Sequence, residues 1–131
     1  NRRKKIGAMF LEAVKDCSWM QAQETPEGYE NSYYTFAVAY HGQEAVGVSW
    51  REFYAKYQEM GGDGFYGACQ VPYLEPVYRN LVVNGRRYEK GLCPIAEKVQ
   101  KTLMQFKCNY IDMEKARRKI NILHKLIKSL G

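Results

Sequence analysis

The chain has 131 residues, of which 46% are hydrophobic and 26% charged, and a net charge of +6. This is the size and composition of one globular domain, and a second full domain does not fit. No apolar run approaches the ~20 residues of a membrane-spanning helix, and acidic residues interrupt the start too early for a secretion signal, so we expect no membrane partner.

The positive charge is concentrated at the two ends of the chain. The first five residues carry +4, the last twenty carry another +4, and residues 6–111 carry −2. A basic total can indicate a nucleic-acid partner, but here the middle of the molecule is not basic. One interpretation is therefore a free-standing basic binding module whose terminal helices contact nucleic acid or another acidic partner.

The four cysteines are widely spaced and include no Cys-x-x-Cys pair, which argues against a zinc ribbon. Two disulfides are an alternative in principle. A core of this size does not need them, so we expect buried free thiols at Cys17, Cys69, Cys93 and Cys108.

Residues 2–17 have an amphipathic helical pattern, with apolar residues at steps of three and four: Ile6, Met9, Phe10, Ala13 and Val14. The pattern begins without a capping residue and the chain has no initiator Met. We therefore expect residue 1 to be a boundary within a longer protein.

The strongest strand pattern is NSYYTFAVAYH, at residues 31–41. Period-two alternation places Tyr34, Phe36, Val38 and Tyr40 on one face, with smaller residues on the other, and predicts a central strand packed on both sides. A short edge strand is expected before it at residues 19–21. Residues 42–47 are expected to form a turn.

The second helix has clear boundaries. Ser49 and Glu52 form a capping-box pattern, and Gly61-Gly62 predicts a left-handed end after Met60. A short extended segment is then expected at residues 64–70.

The remaining half of the chain is irregular before it becomes helical. Two prolines predict irregular structure at residues 71–78, and Asn84-Gly85 predicts a turn in a polar loop at residues 79–93. Pro94 predicts the start of a helix through Leu103 with its apolar residues inward, followed by a connector at residues 105–111. Asp112 caps a last helix that runs to about residue 129. The order of elements predicts an α/β (α+β) layer, with a small, mostly antiparallel sheet packed against helices.

No self-sufficient catalytic constellation is present. His41 and His124 have no Ser or Cys partner at a useful spacing, and Gly61-Gly62-Asp63-Gly64 lacks the Lys-Ser/Thr of a phosphate loop. Two tyrosine-rich segments, at residues 31–36 and 66–73, have the composition of a surface that holds a sugar or an aromatic ring. Packing at a sheet edge is the alternative interpretation of these tyrosines.

An ordered set of motifs resembles the C-terminal small domain of the DegT/DnrJ/EryC1/StrS family of sugar aminotransferases. The set covers nearly the whole chain, and its most specific part is Cys93-Pro94-x-Ala96-Glu97. The other parts are Arg-Arg-x-x-x-Ile near the start, Tyr33-Tyr34-Thr35-Phe36, Gly61-Gly62, and Pro72-Tyr73 leading to Glu75-Pro76-x-Tyr78.

The resemblance implies an enzyme similar to aspartate aminotransferase in fold. It implies pyridoxal 5′-phosphate as cofactor, glutamate as amino donor, a ketosugar linked to a nucleotide as substrate, and a cytoplasmic homodimer with no nucleic-acid or membrane partner. Residues 1–17 would be an inter-domain helix and residues 18–131 the small domain. The cofactor-binding lysine would belong to a large domain absent from this chain, so the chain alone is expected to be inactive, with no catalytic, cofactor-binding or metal-binding residues of its own.

The resemblance also implies substrate-binding residues. Tyr34 stands where relatives carry His or an aromatic residue, and Tyr73 stands where they often carry His. The absence of His at both sites favours substrate contact or orientation over acid–base work. Gln70 stands where some relatives carry Arg, and Asn31 and Tyr33 are lesser candidates.

Overall fold

The computed structural model describes residues 1–67 and 71–131, and the fold is α+β, as the sequence predicts. The helices are α1 (Arg2–Val14), α2 (Gly42–Val46), α3 (Trp50–Glu59), α4 (Pro94–Gln100) and α5 (Met113–Leu130). The strands are β1 (Met20–Ala22), β2 (Thr35–Tyr40), β3 (Val82–Val83), β4 (Arg86–Arg87) and β5 (Leu103–Lys107).

The main sheet is antiparallel in the order β1-β2-β5, so β2 is central, as predicted. β2 is shorter than predicted, since the expected strand covered residues 31–41 and the observed one covers Thr35–Tyr40. Residues 31–34 turn away from the sheet instead of extending the strand. Thr35 pairs with Lys107 and Ala37 with Gln105. The predicted edge strand is present one residue later, at Met20–Ala22.

One face of the sheet packs against α1, α3 and α5 to form the core. Phe36, Val38 and Tyr40 of β2 are buried there, and the ring of Phe36 stacks on that of Phe10 at 5.0 Å. Each such side chain contributes about 1.5–3 kcal/mol on burial. The helices contribute Ile6, Phe10, Val14, Phe53, Tyr57, Ala116, Ile120, Leu123, Leu126 and Ile127.

Within residues 1–67 and 71–131, no helix or strand covers the opposite face of the sheet, so the expectation that β2 is packed on both sides is wrong for the part of the chain that the structure describes. Thr35, Ala37 and Ala39 are only half-buried. A shallow groove of about 500 Å³ runs across the last two of them, between residues 21–24 and Leu103. The side chains here are short or polar, so they give a covering layer little apolar surface to bury.

Two predicted helix starts are confirmed in atomic detail. The Ser49 hydroxyl accepts from the Glu52 N–H at 3.2 Å, while the Glu52 carboxylate accepts from the Ser49 N–H at 2.7 Å. At α5, the Asp112 carboxylate accepts from the N–H groups of Glu114 and Lys115 at 2.8 and 3.2 Å. The predicted stop after α3 is also present, with Gly61 at φ +88°.

The prediction for residues 94–111 is wrong in part. α4 ends at Gln100, and Leu103–Lys107 forms β5 where a helix end and a connector were expected. α4 buries none of its residues, and Val99 is 41% exposed. Met104 and Phe106 are buried in the sheet because β5 pairs along five residues of β2.

Residues 71–93 form a surface arm. Short 3-10 turns, Pro72–Leu74 and Pro76–Tyr78, take the place of an irregular segment, and Asn84-Gly85 turns the β3–β4 hairpin. Residues 42–46, expected as part of a turn, form the short helix α2. Of the expected buried thiols, Cys108 is buried, Cys17 is half-buried and Cys93 is exposed, and all three are free. Cys69 lies outside the described residues.

α1 is part of the same core as the rest of the fold. It ends at Val14, earlier than residue 17, and runs beside α5 in the same direction. His124 Nδ1 lies 3.1 Å from the Ala13 carbonyl oxygen. Ala13 and Cys17 also share the walls of one small cavity with Lys128 and Gly131, so the C-terminal ends of the two helices lie together. Among residues 1–67 and 71–131, no helix has the length and apolar content to cross a membrane.

Candidate ligand-binding groove

A groove of about 600 Å³ lies beside the N-terminal end of α1 and the adjoining ends of β2 and β5, and we call it the tyrosine groove. Four separate stretches of chain supply its walls. It is lined by Arg3, Tyr34, Thr35, Tyr66, Gly67, Gln105, Lys107 and Asn109. Its volume is in the range of small-molecule sites, about 300–1,000 Å³.

A tight turn before β2 aims Tyr34 into this groove. The Asn31 carboxamide oxygen accepts from the Tyr33 N–H at 2.8 Å, and Tyr33 adopts a left-handed backbone with φ +50°. The Tyr33 ring lies on the bare backbone of Gly7 in α1, where a Cβ would be 2.5 Å from its Cδ2. Asn31 and Tyr33 therefore shape the turn, and Tyr34 is left 76% exposed.

Arg3 covers part of the Tyr34 ring. Its guanidinium carbon is 5.5 Å from the ring centroid, which is a cation–π distance. A guanidinium that lies over a ring keeps its N–H edge available for an anion. This corner of the groove therefore combines an aromatic ring with a donor edge.

The floor of the groove is held by Gln105. Its backbone pairs with that of Tyr66 through bonds of 3.0 and 2.8 Å, which adds one bridge to the edge of β5. The Gln105 side chain donates to the Gly67 carbonyl at 2.9 Å and contacts the Thr35 hydroxyl at 3.2 Å. These bonds fix the backbone beside Tyr66, whose side chain is 65% exposed.

Lys107 lines the groove from a charged network. Its Nζ lies 3.4 Å from Asp63 Oδ2 and 4.8 Å from the centroid of the Tyr110 ring. The same carboxylate accepts from the Tyr110 hydroxyl at 2.8 Å and pairs with Lys119 at 3.0 Å. Partial burial opposes ionisation of Asp63, but the Tyr110 hydroxyl and the Lys119 ammonium hold its pKa below the usual range.

Tyr73 lies outside the tyrosine groove, so the structure does not bring it together with Tyr34. Its hydroxyl donates to the Glu97 carboxylate at 2.6 Å and accepts from the Cys93 N–H at 2.9 Å. Glu97 also accepts from the Gly91 N–H at 2.7 Å. Desolvation and the bond to Glu97 raise the pKa of Tyr73 to about 12, so the phenol stays protonated. We call Tyr73, Gly91, Cys93 and Glu97 the arm clasp.

The remaining candidates from the sequence are Gln70, the metal-ligating residue types and the two histidines. Gln70 lies outside the described residues. No group of three or more His, Cys, Asp or Glu residues within the described ranges could hold a metal ion. His41 and His124 are both exposed and do not line the tyrosine groove.

Sequence reasoning identified Tyr34 and the segment containing Tyr66, but not Gln105, Lys107 or Asn109. The sequence predicts a connector at these three positions, and a connector carries no strand alternation that would assign their side chains to one face. The alternation of buried Met104 and Phe106 is the signal that places Gln105 and Lys107 on the opposite face.

The residues of the groove do not fit pyridoxal phosphate. A Schiff-base lysine needs a free amine directed at the cofactor, whereas the Lys107 ammonium is engaged by Asp63 and the Tyr110 ring. Among the described residues that line the groove, Lys107 is the only lysine. The part of the groove that the structure describes therefore offers no free amine to this cofactor.

No family model, no curated protein and no solved structure matches the chain.

Proposed function

We propose that this chain is the C-terminal small domain of a cytoplasmic, pyridoxal-phosphate-dependent aminotransferase. The whole enzyme would act as a homodimer and transfer an amino group from glutamate to a ketosugar linked to a nucleotide, in amino-sugar biosynthesis. The large domain would bind the cofactor, and the chain alone would be inactive.

The observation that carries the proposal is the bond between Tyr73 and Glu97. These residues belong to two motifs of the resemblance that lie 24 residues apart in the sequence. Cys93, from the second motif, donates its N–H to the same hydroxyl. Two motifs of the resemblance therefore meet in one hydrogen-bonded unit, which supports the interpretation that they are parts of one structural feature.

The contribution of this chain to the reaction would be binding and orientation of the substrate. When bound to the large domain, the cofactor supplies the electron sink for amino transfer. Tyr34 is the residue best placed to contact the sugar or its substituents, since it is exposed and held by the turn at Asn31 and Tyr33. Such positioning can contribute several kcal/mol to a reaction.

The test begins with the intact mass of the polypeptide in its native cell. A mass well above 15.3 kDa is expected, with an upstream domain that contains the Schiff-base lysine. The whole protein should then form more than one equivalent of 2-oxoglutarate from glutamate only when a nucleotide-linked ketosugar is present as amino acceptor. A native mass of 15.3 kDa, or no such turnover, would refute the proposal.

A matched pair of variants then tests the role of Tyr34 in the whole enzyme. Tyr34→Phe should lower kcat/KM for the ketosugar and leave the reaction with glutamate unchanged. Tyr29→Phe is the control, because Tyr29 is 75% exposed and lies outside the groove. Equal kcat/KM values for the two variants would show that Tyr34 does not contact the sugar.

A second candidate function, a basic binding module, is favoured by the parallel packing of α1 and α5. This arrangement brings the basic segment at residues 2–5 to the same end of the helix pair as Lys115, Arg117 and Arg118. A module of this kind would bind duplex DNA or RNA with an affinity that falls steeply as salt rises. Absent or salt-independent binding would exclude it.

A further inference from the structure

The main sheet ends at β1, and the backbone there is directed outward in a regular pattern. In an antiparallel pair, alternate residues of a strand direct their N–H and C=O groups toward the partner strand and away from it. The Gln23 N–H donates to the Ala37 carbonyl of β2 at 3.1 Å, which fixes the phase of this alternation. The backbone groups of Met20 and Ala22 therefore point away from β2, at the edge of the sheet.

Three of these outward groups are free to pair with another strand. Within residues 1–67 and 71–131, no hydrogen bond engages the carbonyl of Met20 or either backbone group of Ala22. The Met20 N–H is already taken by the Cys17 carbonyl at 3.3 Å, which closes one end of the edge. An added antiparallel strand can therefore make two hydrogen bonds with Ala22 and one with Met20.

A groove of about 510 Å³ lies along the same edge, between β1 and α1, and we call it the β1 groove. Residues of an added strand that lie directly across from Met20 and Ala22 place their side chains on the same face of the sheet as these two residues. This is the face that α1 covers, and the exposed side chains of Ala8 and Leu11 line the groove there. Every second side chain of the added strand therefore meets an apolar wall.

The charges along the β1 groove cancel. Glu12 and Lys15 line it and pair with each other at 2.5 Å, and the other described residues of its walls are uncharged. A charged side chain placed against Leu11 would lose hydration without gaining a partner. We propose that the β1 groove binds an extended, uncharged peptide segment of a partner protein, which adds a fourth strand to the sheet and packs alternate apolar side chains against Ala8 and Leu11.

A second copy of this chain fits the β1 groove poorly. The three residues of β1 span about 10 Å, so two copies joined edge to edge would bury far less than the ~1,200 Å² of a specific interface. A symmetric pair would also bring Met20, Ala22 or Glu24 to the positions that face the groove. Met20 is already buried in its own core, Ala22 has only a methyl group, and Glu24 is charged.

This inference goes beyond the proposed function and does not depend on it. The β1 groove and the tyrosine groove share no lining residue within the described ranges. A peptide bound at β1 therefore leaves the surface around Tyr34 accessible.

The first experiment titrates a fluorescent peptide, Thr-Val-Thr-Val-Thr, with the 131-residue chain and follows fluorescence anisotropy. N-methylation of both valines removes the N–H groups that face β1 and should weaken binding by about tenfold or more. N-methylation of the central threonine removes an N–H that points away from β1 and should leave the affinity within about twofold. Equal affinities of the two methylated peptides, or no binding at millimolar concentration, would overturn the inference.

A matched pair of variants tests the apolar wall. Leu11→Ala should weaken the peptide by about three- to tenfold, because the peptide then buries less apolar surface. Ile95→Ala is the control, since Ile95 is an exposed aliphatic residue of α4 that lies outside the β1 groove. Circular dichroism should show an intact fold for both variants. If the two variants bind the peptide equally well, α1 is not part of the site and the proposal fails.

Amide exchange distinguishes an added strand from simple adhesion to the apolar wall. At saturating peptide the Ala22 N–H should exchange about tenfold more slowly or less, whereas the Gln23 N–H, already bonded to Ala37, should change little. Unchanged exchange at Ala22 would contradict strand addition. Protection of Ala22 without peptide that rises with protein concentration would identify a second copy as the occupant, and the assignment to a peptide would then be wrong.

Discussion

Replacement of Gly7 by Ala sets helix propensity against packing, and the structure indicates which effect is larger. Ala in place of Gly stabilises a helix interior by about 1 kcal/mol. At Gly7, however, the new Cβ would lie 2.5 and 2.6 Å from Cδ2 and Cδ1 of Tyr33, where carbon atoms normally stay 3.5–4.0 Å apart. The ring of Tyr33 must therefore move by about 1 Å or more.

Movement of this ring has two costs. Overpacking typically costs about 1–3 kcal/mol, and separation of the Tyr33 ring from Phe36, now at 6.4 Å, costs about 0.5–1.5 kcal/mol. After the gain in propensity is subtracted, Gly7→Ala should lower the free energy of unfolding by about 0.5–3.5 kcal/mol. Urea denaturation followed by circular dichroism measures this change.

A double-mutant cycle isolates the contact. In a Tyr33→Ala background the obstructing ring is gone, so Gly7→Ala should become neutral or stabilising by up to about 1 kcal/mol. If Gly7→Ala has the same effect with and without the Tyr33 ring, the contact between α1 and the turn does not hold Tyr34 in place, and our account of the groove is wrong.

Three further substitutions test other contacts. Asp63→Asn should lower the free energy of unfolding at pH 7 by about 1–3 kcal/mol. Because its native pKa is depressed, this stabilisation is present above the unfolded pKa of about 3.9 and disappears as pH falls through the native pKa, so wild type and variant should converge in acid. Glu97→Ala should speed amide exchange of Gly91 and Cys93 by roughly two- to tenfold, and unchanged rates would contradict the arm clasp. Ser49→Ala should cost about 1 kcal/mol in thermal unfolding, whereas Ser18→Ala, outside the helices, serves as its control.

The elements that were predicted correctly are those whose formation depends mainly on residues adjacent in the sequence. The Ser49 capping box, the Asp112 cap and the alternation of β2 each occupy a few adjacent residues, and each is present in the structure. β5 was missed because Val99 and Leu103 are four residues apart, a spacing that also fits a helix. Pairing with β2, which begins some 68 residues earlier in the chain, makes that segment a strand. Periodicity carries no information about this pairing.

The candidate site was predictable only in part for the same reason. Tyr34 was identified from its own motif. Its direction depends on Gly7, which lies 26 residues before Tyr33, and its neighbours Arg3 and Lys107 come from α1 and β5, far apart in the sequence. No short motif contains these residues together, so only the folded chain assembles them.

The arm clasp has a consequence for how this chain can be altered. Tyr73 and Cys93 are joined at the base of the arm, so the residues between them begin and end at nearly one point on the surface. β3 and β4 pair with each other and bury none of their residues. Residues 79–90 can therefore be replaced by a short glycine-rich turn, or extended by an inserted sequence, without opening the core. The same property makes this the position of choice for a fluorescent label or an affinity tag.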